Sequence, residues 1–263
     1  MSALSTAEVE RALDALGAGC GRPATVVAST ASTNDDARRA AAEGAPAGAV
    51  FVADAQTAGR GRGDHSWHSP PGENVYLSLL LRPALAAPRL SPITLAFGLA
   101  VAKVVEGHLD PGARVLVKWP NDVLVGPRKI AGILVEASLR GVEVASLVVG
   151  VGLNVAGRRF PAEIAARATS LRIEGGRDLD RARIVAELCQ ELGQAADGFA
   201  AEGLAPLLGE LGRRDALAGR AVIVDGAPFR AEGIDGDGSL RVRSESGELR
   251  SVVAGEVQLG EIP

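Results

Sequence analysis

Apolar runs alternate along the chain with short polar and glycine-rich stretches, and the period of each run predicts an element. Val9, Ala12, Leu13 and Leu16 recur on one helical face, with Ser5 and Glu8 spaced as a capping box, Leu4 and Val9 as a hydrophobic staple, and Gly17 as a stop. This predicts one short N-terminal helix. Ala24 to Ala28 reads as a strand, and the polar turn Ser29-Thr-Ala-Ser-Thr-Asn-Asp-Asp36 leads into a helical run from Ala37 to Glu43, with Ser32 or Thr33 as N-cap and Gly44 as stop. Ala49 to Ala53 and Asn74 to Leu81 read as buried strands. Ser91-Pro92 is spaced as N-cap and first helical residue of a run through Gly107 that is apolar almost all round, hence deeply buried.

Arg114 to Trp119 leads into a predicted hairpin, whose first strand, Val123 to Val125, opens with Asn121-Asp122 after Pro120 and whose second runs from Lys129 to Ala137 after a turn at Gly126-Pro127-Arg128. Val142 to Val151 is a further apolar strand. Residues 156–180 are mixed and basic, with a short helix from Pro161. Arg181 to Ala200 is an amphipathic helix with Ile184, Leu188, Leu192 and Phe199 inward, and Leu204 to Leu211 adds a shorter one. From Leu217 the texture changes to short β runs at 221–224, 228–234, 239–243 and 249–253, separated by Asp225-Gly226, Asp235-Gly-Asp-Gly238 and Ser246-Gly247. A small antiparallel barrel fits these runs and is too small to stand firmly alone, so it is expected to dock on the main body. The expected organisation is an α+β protein. A helical segment spans 1–23, a mixed-sheet domain 24–216 and a small barrel 217–263.

At 263 residues, 47% of them hydrophobic, the chain is long enough for a proper core. A net charge of -4 gives no overall basic field, so any anion site must be local. Cys20 and Cys189 are far apart in sequence and fit neither a metal spacing nor a disulfide framework, which points to a reducing compartment, the cytoplasm by default. No signal pattern or membrane-length apolar run is present. Only one helix precedes the first strand, which leaves no room there for a helix-turn-helix, so DNA binding is not expected.

The densest chemistry lies from Ala55 to Asn74, AQTAGRGRGDHSWHSPPGEN. Gly59, Gly61 and Gly63 alternate with Arg60 and Arg62, followed by His65, Trp67 and His68. Glycines let the backbone approach a ligand, and arginines between them present planar, permanent donors to phosphate or carboxylate oxygens. A solvated connection with idle arginines is the alternative for this loop alone. The Ser32-Thr33-Asn34 turn places hydroxyl and amide groups beside free helical N–H groups and suits a polar ligand head, or capping alone. Lys118 and Lys129 stand in apolar surroundings and need partners, unless they blunt an edge strand. Asp122, beside Asn121, suits a Mg2+ ion, a ribose or simply a turn.

Together, Ser32-Thr33-Asn34, Gln56 with Gly59-Arg-Gly-Arg62, Lys118-Trp-Pro-Asn-Asp122 with Lys129-Ile-Ala-Gly-Ile-Leu-Val-Glu136, and Gly150-Val-Gly-Leu-Asn154 resemble the biotin protein ligases from about residue 28 to Gly255-Glu256-Val257. The resemblance implies a mixed α+β sheet domain with an SH3-like barrel. It also implies formation of biotinyl-5′-adenylate from biotin and Mg-ATP, followed by acylation of one lysine of a biotin carboxyl carrier domain. It assigns Lys129, Arg60 and Arg62 to catalysis. Ser32, Thr33, Asn34, Gln56, Gly59 to Arg62, Lys129 and Gly132 are assigned to biotin. Arg62, Trp67, Asn121, Asp122, Lys129 and Asn154 are assigned to the nucleotide, with Asp122 as a Mg2+ ligand. Asp64 and His65 depart from the family's small-then-basic pair. Oligomeric state stays open, a homodimer included. A lipoate or octanoate ligase and a non-catalytic module that sequesters a small acid are the competing readings, and the Ser-Thr-Asn turn with Gln56 favours biotin.

Overall fold

A computed structural model of the chain describes residues 4–63, 65–255 and 257–259; Asp64 and Glu256 lie outside the described residues. The first helix, α1 (Thr6–Leu16), carries the predicted capping box and ends at Gly17 in the left-handed region, with Val9 and Leu13 buried. Strands β1 (Ala24–Thr30), β2 (Val50–Gln56), β3 (Val75–Leu81), β4 (Val115–Lys118), β5 (Asp122–Val125), β6 (Arg128–Arg140) and β7 (Glu143–Leu153) form one sheet in the order β1-β2-β3-β7-β6-β5-β4. Only β1 and β2 are parallel; every other pair is antiparallel, so the sheet is mixed.

Helix α2 (Thr33–Ala42) lies between β1 and β2 in sequence, α3 (Ile93–Gly107) between β3 and β4, and α4 (Ala162–Ala165), α5 (Arg181–Glu202) and α6 (Leu208–Arg214) follow β7. Period-two alternation divides the central strands between two faces. Leu77, Leu79 and Leu81 of β3 and Leu147, Val149, Val151 and Leu153 of β7 join the main core with α1, α3 and α5. Leu80 and Val148 point the other way, packing with Ala37 of α2. Residues of β3 are therefore buried on both faces, and its sequence reads as a continuous apolar run broken by Ser78.

Two starts differ from expectation. Helix α2 begins at Thr33 rather than Ala37, and Ser32 occupies the N-cap without a side-chain bond; Gln56 Oε1 accepts from Thr33 N at 2.9 Å instead. Helix α3 is capped at Pro92 rather than Ser91, again without a side-chain cap. Far from the sheet's site face, buried His108 at the end of α3 meets Glu187 of α5 at 2.6 Å. Burial alone would lower the imidazole's pKa, but the Glu187 carboxylate outweighs it and the net shift is upward.

The remaining strands, β8 (Ala221–Val224), β9 (Ala227–Ile234), β10 (Leu240–Arg243), β11 (Leu249–Val252) and β12 (Val257–Leu259), form an antiparallel sheet in the order β11-β10-β9-β8-β12. This suits an SH3-like unit, with no closure of the sheet among the described residues. It docks on the main body where Trp119 Nε1 donates to Gly238 O at 3.0 Å and Arg62 Nη1 donates to Gly255 O at 3.3 Å. No helix among the described residues is long and apolar enough to cross a membrane.

Candidate active site

The strand register places the site on the sheet face that carries α2. Tyr76, Gly152 and Gly132 stand abreast on β3, β7 and β6; Ser78, Gly150 and Leu134 form the next row, and Leu80, Val148 and Glu136 the third. The glycines make a floor. A Cβ at Gly150 would overlap the Asn34 carboxamide, one at Gly152 would overlap the Trp67 indole, and one at Gly132 would stand 3.1 Å from that indole and 3.3 Å from Lys129 Nζ.

At one end of the floor the turn into α2 is buried at Ser32, Thr33 and Asn34. Asn34 Nδ2 donates to Glu136 Oε2 at 2.7 Å and to Leu134 O at 3.3 Å, while Asn34 Oδ1 accepts from Ser78 Oγ at 2.6 Å. Ser78 Oγ also lies 2.8 Å from Thr33 Oγ1, which in turn lies 3.2 Å from Gln56 Oε1. Gln56 Nε2 donates to Ser69 Oγ at 3.0 Å, and Ser69 Oγ donates to Trp67 O at 3.0 Å. Side-chain amides and hydroxyls thus run in one connected chain from β6 to the Gly/Arg loop, and such a network fixes each group's orientation.

At the other end Lys129 Nζ pairs with Asp122 Oδ1 at 2.7 Å and sits 5.1 Å from the Trp67 ring centroid. The pair follows from the hairpin: β5 opens with Asp122, β6 carries Lys129 near its start, and a bulge between Val123 and Leu124 shifts their register. Trp67 is placed by its own loop, whose backbone closes on itself through Gly61 N to His65 O at 2.7 Å and Trp67 N to Gly59 O at 2.8 Å. Its Nε1 is buried and has no acceptor among the described residues.

The Gly/Arg cations face protein partners. Arg60 reaches Asp35 at 2.8 Å and Glu136 at 3.0 Å, and Arg62 reaches the Gly255 carbonyl. Asn121 and Asn154 use their amides on backbone, donating to Ile133 O and Thr169 O, each at 2.9 Å. The structure therefore assembles Ser32, Thr33, Asn34, Gln56, Gly132, Lys129, Asp122 and Trp67 around one floor. Arg60 joins them through Glu136, and Arg62 is directed toward the C-terminal sheet. Sequence reasoning passed over Ser78, Asp35 and Glu136. A lone serine in the apolar run of β3 and a lone glutamate in that of β6 were the available signals.

For Mg2+, the donor set is thin. Asp122 is already engaged by Lys129, and among the described residues no group of three His, Cys, Asp or Glu is placed to hold a metal. These residues do not fit a protein-held Mg2+ ion.

The sequence matches two family models: the biotin/lipoate A/B protein ligase family over residues 26–154, and the biotin protein ligase C terminal domain over residues 219–260. It is 34% identical over 245 residues to the biotin–acetyl-CoA-carboxylase ligase of Paracoccus denitrificans, covering 89% of this chain and 100% of that one. It is also 34% identical over 237 residues to the bifunctional ligase/repressor BirA of Bacillus subtilis, covering 87% of this chain and 71% of that one. Among solved structures, the biotin protein ligase from Aquifex aeolicus in complex with biotin and ATP superposes with a TM-score of 0.76 at 27% identity, covering 92% of this chain and 100% of that one. Matched across both its sheets, this chain belongs to the biotin protein ligase family.

Proposed function

We propose that the glycine floor holds biotin with its polar head toward Ser32, Thr33, Asn34, Gln56 and Ser78, and that Lys129 stabilises charge at the reacting phosphate. The chain is an ATP-dependent biotin–protein ligase. In the first step a biotin carboxylate oxygen attacks the α-phosphorus of ATP, the bond to the β-phosphate breaks, and pyrophosphate leaves. In the second, the amine of an acceptor lysine attacks the acyl carbon, loses a proton, and releases AMP. The first step brings two anions together, so a fixed cation aimed at the developing charge is the main help a protein supplies. The observation that carries this reading is Lys129 Nζ poised above the floor, oriented by Asp122 at 2.7 Å and by the Trp67 ring.

Trp67 serves as the adenine platform, and Arg60 and Arg62 close over the adenylate after exchanging their protein partners for phosphate. Any Mg2+ arrives on the phosphates of ATP. The acceptor is a biotin carboxyl carrier domain, met by the mixed-sheet domain with the C-terminal sheet of β8 to β12 docked beside it. We assign no operator binding, given a net charge of -4, and place the enzyme in the cytoplasm, as a monomer or homodimer.

The test is pyrophosphate release with ATP and biotin, lipoate or octanoate in parallel. Release with biotin alone is expected. Release with lipoate or octanoate in its place would reassign the substrate, and none with any acid would leave a sequestering module.

A further inference from the structure

Lys129 sits where β6 loses its regular neighbours. On the β5 side Leu124 pairs with Lys129 but Val123 pairs with Ala131, so the register shifts between them. On the β7 side the ladder ends with Leu153 opposite Ala131, and Asn154 N adds a last bond to Ile130 O at 2.9 Å. The edge left beside Lys129 is taken by a stretch from further along the chain: Lys129 N donates to Arg167 O at 2.7 Å, and Thr169 N donates to Lys129 O at 2.9 Å. Both backbone groups of Lys129 are thus bonded to one short stretch, in a parallel bridge centred on Ala168. Ala168, Thr169, Ser170 and Leu171 are buried, and two side chains tie them down. Asn154 Nδ2 donates to Thr169 O at 2.9 Å, while Thr169 Oγ1 donates to Glu174, which also accepts from Arg128 Nη2 at 2.7 Å. Leu171 N donates to Asn154 O at 3.1 Å, so Asn154 engages the stretch with both side chain and backbone.

We propose that Asn154 and Thr169 are positioning residues for adenylate formation, acting on Lys129 through its backbone and not on the nucleotide. The inference rests on the assignment of Lys129 to the reacting phosphate given above. Asp122 and the Trp67 ring hold the ammonium tip. A flexible four-carbon stem delivers that charge to one point only when its root is fixed as well. A reacting group misplaced by about 1 Å can cost about 100-fold in rate, so the stretch that sets the Lys129 backbone bears directly on the chemistry. The Asn154 donor is committed to a buried carbonyl and costly to withdraw, which suits a permanent tie better than a ligand contact that must form and break at each turnover.

The experiment is single-turnover adenylate formation from biotin and ATP by the full chain and its Asn154→Ala variant, each also in a Lys129→Ala background. Varying ATP separates the maximal rate from the half-saturating concentration, and calorimetry gives biotin affinity on the same samples. Expected for Asn154→Ala is a maximal rate lower by about tenfold, with half-saturation by ATP and biotin affinity within about twofold of wild type. In the Lys129→Ala background the same substitution should cost less than about twofold, because a displaced root cannot matter to an absent charge. Thr169→Val should lower the maximal rate by a smaller factor, and Thr169→Ser, which keeps the hydroxyl, should restore it. A raised half-saturating ATP concentration at an unchanged maximal rate would give Asn154 to the nucleotide, and equal losses with and without Lys129 would reduce it to support of the fold. Either result overturns the proposal, as does an unchanged rate. Should Asn154→Ala fail to fold, Thr169→Val and Thr169→Ser carry the same cycle with Lys129→Ala. A Lys129→Ala variant that forms adenylate at the wild-type rate defeats the Lys129 assignment, and this inference with it, an outcome separable from each of the others.

Discussion

The two ends of the glycine floor are built differently. At the α2 end, Thr33, Asn34 and Ser78 are buried and bonded to one another, and Gln56 completes the chain, so each polar group is already held in one orientation. At the Gly/Arg end, the side chains suited to phosphate are held by the protein itself: Arg60 by Asp35 and Glu136, Arg62 by the Gly255 carbonyl. On the proposed reading, recognition is preorganised, while part of the charge stabilisation is stored in exchangeable contacts. The Arg60 pairs are 38% exposed on the arginine side, and such pairs hold only weakly. Little opposes their transfer to a phosphate. Lys129 spans both descriptions, since Asp122 orients it already.

The difference can be broken at the rigid end first. Gly150→Val should weaken biotin binding by about 100-fold or more, because the new side chain displaces the Asn34 carboxamide from a site that is close-packed and cannot yield. Calorimetry with biotin on a variant that melts cooperatively measures this, and an affinity near wild type would mean that the turn does not hold the substrate.

The movable end is tested by a timed trypsin digest. Cutting after Arg60 or Arg62 should slow by about 100-fold when biotin and ATP are both present at ~100 times their dissociation constants, if cleavage samples only the opened loop. Biotin or ATP alone should protect less. Equal rates under all conditions, with adenylate shown to be bound, would deny the loop its role as a lid.

A finer cut separates recognition from chemistry. Ser78→Ala removes the donor to Asn34 Oδ1 and leaves a buried acceptor unpaired, which costs about 1–3 kcal/mol. A rise of about tenfold in the KM for biotin, with kcat little changed, is expected. A fall in kcat at constant KM would place Ser78 in the chemistry.

The smallest effect should come from a site remote from both ends. His108 has a folded-state pKa raised above its ordinary 6.5, so its pairing with Glu187 stabilises the protein fully below that value and is lost as pH rises through the folded pKa. The melting-temperature gap between wild type and His108→Gln should therefore narrow from pH 6 to pH 9 while biotin affinity at fixed pH stays put. A gap that widens with pH would reverse the sign of the His108 contribution.

Much of this contrast was legible in the chain. The Lys118 to Glu136 hairpin could be placed because turn residues and apolar runs are local signals, and the Ser-Thr-Asn turn because free helix N–H groups advertise themselves. What stayed hidden depends on register across strands distant in sequence. Ser78 reaches Asn34 only because β3 pairs with β7 so that Ser78 stands opposite Gly150. Glu136 meets Arg60 across 76 residues of sequence separation, a pairing that no periodicity reveals. The edge strand β4, read as part of an approach to the hairpin, became visible only through its pairing with β5.

The most direct test is single-turnover formation of biotinyl-5′-adenylate by Lys129→Ala, with biotin affinity measured on the same sample. Loss of a charged contact made mainly in the transition state should slow adenylate formation by about 100-fold or more, equivalent to ~3 kcal/mol, while biotin still binds and the fold is kept. A folded variant that forms adenylate at nearly the wild-type rate would contradict the account at its centre.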